Sequence, residues 1–177
     1  FLQVFSSCLH WELAPMSYRG KTAEQYSLQA IAASTHGNHE EAVKLFKAAC
    51  ALEPDASVLW YNLGIEYLAL NKPEQALEAF TRAETLGEKT AELYNNMGLA
   101  WYGLHCYEEA ERYYSQSLLI NPTFPEALNN FGVLNFVQGN YEEARHFFEQ
   151  AVVYNPTYQD ALINLRDTYE TLGLTEL

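Results

Sequence analysis

Four asparagines, Asn62, Asn96, Asn130 and Asn164, stand 34 residues apart, with Leu28 at the matching place before them. A carboxamide both donates and accepts hydrogen bonds, so it can satisfy the two halves of a peptide group. Polar recognition is therefore the first chemistry these spacings suggest. Acids recur in phase as well: Glu40-Glu41, Glu108-Glu109 and Glu142-Glu143 form one series, and Glu92, Glu126 and Asp160 another. No nucleophile accompanies them. The chain holds no G-x-S-x-G elbow, no phosphate-binding glycine loop and no H-E-x-x-H, and the neighbours His105 and Cys106 are poorly placed for a dyad, so a non-catalytic protein is expected. His36 and His39 lie two repeats from His105, and Cys8, Cys50 and Cys106 lack C-x-x-C spacing; neither a metal site nor a cofactor is expected.

The elements that carry these residues follow from the same interval. Blocks opening at Ala23, Ser57, Ala91 and Pro125 share a large fourth residue (Tyr26, Trp60, Tyr94, Leu128) and an alanine at place twenty (Ala42, Ala76, Ala110, Ala144). Place twenty-four is a ring (Phe46, Phe80, Tyr114, Phe148), and place twenty-seven is small (Ala49, Ala83, Ser117, Ala151). A period of 34 belongs to stacked helix-turn-helix units. Gly64, Gly98 and Gly132 interrupt apolar helical stretches at a cost of about 1 kcal/mol each, which close approach of a second helix would offset. The alanines of place twenty are expected to supply the facing surface.

Turns and helix starts are marked by HGNHEEA (36–42), LNKPEQA (70–76), LHCYEEA (104–110) and QGNYEEA (138–144). Gly37, Asn71 and Gly139 suit a chain leaving a helix, and Pro73 suits the first turn of the next. The paired glutamates meet the positive end of a helix dipole there, a structural role rather than a catalytic one. Cys50 is expected to be a small buried thiol.

The stretches WYNLGIEYL (60–68), YNNMGLAWY (94–102) and LNNFGVLNF (128–136), each followed by an alanine-centred second helix, resemble tetratricopeptide repeats. Pro54, Pro122 and Pro156 stand where that family commonly ends its second helix; Gln29-Ala30 and Glu88 depart from the pattern. The resemblance implies an all-α, right-handed α-solenoid with repeats at 23–56, 57–90, 91–124 and 125–158 and a capping helix at 159–173, its Arg166, Asp167, Thr168 and Glu170 turned to solvent. It also implies that first helices line a concave groove. Carried over place by place, that groove presents the asparagine ladder Asn62, Asn96, Asn130 and Asn164, similar to the row in the repeat domain of O-GlcNAc transferase. Tyr61, Asn95, Asn129, Leu99, Tyr102 and Phe136 flank it, with Glu92 and Glu126 on one edge.

The function implied is a protein–protein interaction scaffold or adaptor whose partner is an extended or helical peptide segment, apolar with some Lys or Arg. The alternative is a structural subunit that self-associates or assembles through its ends or convex face. Relatives that hold a chaperone's C-terminal carboxylate use basic residues where this chain has Ser27, Ile31, Asn62, Glu92 and Asn96, so that subclass does not fit.

Composition narrows the partners further. Ten basic against 23 acidic residues leave a net charge of −13, which disfavours nucleic acid and anionic lipid. No apolar run approaches the roughly 18–20 residues of a membrane span. Residues 1–22 stand outside the repeat. A helix capping repeat one is the preferred reading of FLQVFSSCLHWEL; the cut edge of a longer protein and a lipoprotein signal ending at Cys8 remain alternatives, the last implying a cell-envelope anchor in place of a cytoplasmic setting.

Overall fold

The computed structural model describes residues 20–174, and the capping and lipid-anchor readings of the N-terminal stretch fall largely outside them. Nine helices occur among the described residues: α1 (Ala23–Thr35), α2 (His39–Leu52), α3 (Ser57–Ala69), α4 (Pro73–Thr85), α5 (Ala91–Gly103), α6 (Tyr107–Ile120), α7 (Pro125–Val137), α8 (Tyr141–Tyr154) and α9 (Gln159–Leu172). Their starts have local causes. Thr22 caps α1 in a reciprocal box with Gln25, Thr90 caps α5, and Pro73 and Pro125 open α4 and α7, where a missing N–H costs nothing. Glu40-Glu41, Glu108-Glu109 and Glu142-Glu143 all lie in first turns.

Each hairpin turns on one left-handed residue: Gly37 (φ 74), Asn71 (φ 53), His105 (φ 59) or Gly139 (φ 81). The N–H that follows it reaches back to the first helix, as in Asn38 to Ala33 and Cys106 to Trp101. His105 takes this conformation without the freedom of glycine. Between repeats, Asn121 and Asn155 side chains accept from Thr123 and Thr157, closing tight turns around Pro122 and Pro156. Repeat two departs for a visible reason. Its chain turns through Gly87 (φ 104), and the Glu88 N–H donates to the Ala83 carbonyl at 3.1 Å, a bond that proline could not make.

Helices pair within each repeat, and each second helix then packs on the next first helix, giving an α-solenoid. First helices also touch one another in succession, α3 on α5, α5 on α7 and α7 on α9, whereas second helices stand apart. The first helices therefore form the inner wall.

Two packing expectations are corrected. A Cβ on Gly64, Gly98 or Gly132 would meet the ring of Phe80, Tyr114 or Phe148 at 2.4, 2.6 and 2.5 Å. The close approach is thus to the ring at place twenty-four, while the alanines at place twenty are buried beside it. Thr168, expected at the surface of α9, is wholly buried, and its hydroxyl is satisfied by the Asn164 carbonyl at 2.6 Å. Arg166, Asp167 and Glu170 are exposed. Cys50 is buried as expected.

Candidate functional site: the inner wall

Place six of the repeat decides the character of this wall. Asn96 Nδ2 donates to the Tyr61 hydroxyl at 3.1 Å, Asn130 Nδ2 to Asn95 Oδ1 at 2.9 Å, and Asn164 Nδ2 to Asn129 Oδ1 at 2.9 Å. In every case the acceptor stands at place five of the preceding repeat. The asparagines are therefore rungs between repeats before they are anything else. One N–H and the Oδ1 of each amide lie outside these bonds and remain for further hydrogen bonding. Asn62 makes no such rung among the described residues; Ser27 stands at place five before it.

The acceptors need a correction. Asn95 and Asn129 were expected to face a ligand, but they are only 6% and 5% exposed and act as fixed acceptors inside the stack. Burial follows from their place on α5 and α7, where the next first helix closes over them. The other expected residues lie nearer the surface: Tyr61, Asn62, Tyr102 and Phe136 are half-buried with the rung asparagines, and Leu99, Glu92 and Glu126 are exposed.

Rings on this wall are braced by their own hairpins. Tyr102 packs on Tyr107 with centroids 5.8 Å apart, and Phe136 meets Tyr141 edge-on at 5.0 Å. Between α7 and α9, Val133, Phe136, Phe148, Asn164 and Asp167 line a hollow of about 110 Å³. It brings an apolar seat and a rung carboxamide together.

Acidic residues bias the field along one edge. Burial pushes the Tyr61 phenol above its ordinary value, the charges of Glu92 and Glu88 push it further, and the Asn96 hydrogen bond pulls it partly back. Tyr158 behaves alike: burial comes first, then Asp160 and Glu126, with a hydrogen bond from Asn129 opposing them. Sequence reasoning missed Tyr158. Its place, the last of the repeat, reads Ala56, Thr90, Phe124 and Tyr158, and that drift toward large residues was the available signal.

The histidines considered for metal binding have other contacts. His39 Nδ1 lies 2.8 Å from the buried Glu66 carboxylate, and His36 Nδ1 lies 2.6 Å from the Ala32 carbonyl. Among the described residues no group of three or more potential ligands converges, and no helix is long and apolar enough to cross a membrane.

Family models described as tetratricopeptide repeat match residues 57–88, 91–124 and 125–158, more than half of the chain. No curated protein sequence matches it. Among solved structures, the chain is similar to the MamA protein at 21% identity, covering 88% of this chain and 85% of that one with a TM-score of 0.73. PilW, described as a widely conserved type IV pilus biogenesis factor, is similar at 22% identity over 88% of this chain and 72% of that one, TM-score 0.77. YrrB, described as a TPR protein with an unusual peptide-binding site, is similar at 24% identity over 87% and 79%, TM-score 0.66. At these identities the likeness is one of fold. The 34-residue phase, the ring-on-glycine hairpins and the sequence matches agree, and the chain belongs to the tetratricopeptide repeat family.

Proposed function

We propose that the inner wall holds an extended or helical peptide segment carrying apolar residues and some lysine or arginine. Tetratricopeptide stacks are protein–protein interaction scaffolds and generally carry no catalysis of their own, and this chain shares that architecture. The observation that carries the finer reading is the row of rung amides. Tethering through Nδ2 holds each carboxamide in one orientation, so its remaining N–H and Oδ1 meet a backbone with little ordering cost. Leu99 and the Phe136 hollow supply apolar contact, and Glu92 and Glu126 supply attraction for a basic side chain. YrrB's described peptide-binding site makes such use of the fold reasonable.

A peptide library displayed on phage and selected against the native chain tests the reading. Selected peptides should combine Lys or Arg with apolar residues, and the triple variant Glu92→Gln, Glu126→Gln, Leu99→Ala should bind them at least about tenfold more weakly at an unchanged melting temperature. Equal binding by the variant would overturn it. The second reading, self-association, draws on Leu119 and Val153, which are 82% and 72% exposed on α6 and α8. Light scattering separates the two: a mass that rises with concentration, and falls on Leu119→Ser with Val153→Ser, favours assembly.

A further inference from the structure

Three stripes run along the inner wall, because helix positions three or four apart share a face. The middle stripe is the row of rung amides Asn96, Asn130 and Asn164 at place six. One helical turn before them, place two carries Glu92, Glu126 and Asp160. One turn after them, place nine carries Ile65, Leu99 and Val133, and it becomes acidic only at Asp167. Acid and apolar stripes thus lie about 10 Å apart across the wall, the rise of seven helical residues. All three acids of place two are exposed, and none has a basic partner among the described residues. Burial comes first in raising the Tyr158 phenol, and the charges of Asp160 and Glu126 come next, so acids of two successive repeats act on one ring.

The interval along each stripe selects the conformation of a ligand. First helices touch in succession, and packed helices lie about 8–10 Å apart, so acid, amide and apolar side chains each recur at about that distance. A matching segment must present like side chains on one edge at the same interval and offer unpaired backbone groups to the amides. An α-helix advances about 5.4 Å per turn and has already used its backbone hydrogen bonds. A β-strand returns to the same face after about 6.6 Å, and its next residue points the other way. Polyproline II advances about 9.3 Å in three residues, brings the third residue back to the same edge, and leaves its backbone free. Resting on the peptide-binding reading of this wall, we propose that the segment held there adopts polyproline II with a basic residue at every third position, one for each of Glu92, Glu126 and Asp160. Its apolar residues form the edge that meets Ile65, Leu99 and Val133. Three basic residues so spaced span about 19 Å, against about 16–20 Å for two helix intervals.

The test titrates short fluorescein-labelled peptides against the full chain and reads anisotropy. One peptide repeats Lys-Leu-Pro; a second keeps that composition with its lysines unevenly spaced; a third keeps the lysine spacing but replaces proline by alanine to favour helix. The first should bind at least about tenfold more tightly than either control, and Glu92→Gln, Glu126→Gln and Asp160→Asn together should erase that difference at an unchanged melting temperature. Should that temperature fall, Glu126→Gln alone serves, with an expected loss of about threefold. Equal binding by the three peptides, or a preference that survives removal of the acids, overturns the proposal. The peptide-binding reading outlives that result if phage-selected peptides still lose affinity with Glu92→Gln, Glu126→Gln and Leu99→Ala. Failure of every peptide, selected ones included, overturns both.

Discussion

A residue with no side chain controls the spacing of each hairpin. Placing a Cβ on Gly98 would bring it 2.6 Å from the Tyr114 ring, and that ring is fully buried with nowhere to retreat. Gly98→Ala should therefore destabilise by about 1–3 kcal/mol in urea unfolding, although alanine is the better helix former. The sequence signalled a close approach but misassigned its partner. Places twenty and twenty-four are one turn apart on the same helix face, and only the tilt of the two helices decides which lies over the glycine. Cys50 allows a second residue-scale prediction. Burial raises its thiol pKa to about 11, against about 8.5 for a free thiol. The unfolded chain then loses this proton first, so the contribution is complete below about pH 8.5 and falls as pH rises toward 11. Urea midpoints should drop more between pH 8 and pH 10.5 for the native chain than for Cys50→Ala.

At the scale of elements, the turn residue sets where a first helix stops. Asn71 and His105 hold positive φ with a Cβ in place, while Gly37 and Gly139 do so without strain. His105→Gly should raise stability by about 1 kcal/mol, read as an increased urea midpoint, since relief of left-handed strain exceeds the added freedom of the unfolded chain. Gly37, Asn71 and Gly139 were legible as turn residues from their types alone. His105 was not, because histidine seldom takes this conformation and only its register with the other three identifies it. Thr168 shows the opposite limit: a polar residue on a terminal helix reads as exposed, yet it folds its hydroxyl onto the Asn164 carbonyl and is buried.

Across the whole molecule, stability is carried from hairpin to hairpin, and the rung asparagines are part of that coupling. Asn130→Ala leaves the buried Asn95 Oδ1 without its donor and should cost about 1–3 kcal/mol, whereas Asn62→Ala, with no rung to lose, should leave the urea midpoint nearly unchanged. Equal effects of the two substitutions would remove the distinction between rung and surface amide.

Periodicity alone determined the helix pairs and their order, because a repeat of fixed length with large and small residues in phase can bury its apolar faces only by stacking on its like, whereas the inner wall followed from the family resemblance. It also placed four asparagines on one line. Tertiary structure decided what those amides do first and which acceptors were buried between repeats. Such outcomes depend on the offset between neighbouring hairpins, which pairs place six with place five of the preceding repeat. No spacing within a single repeat encodes that offset.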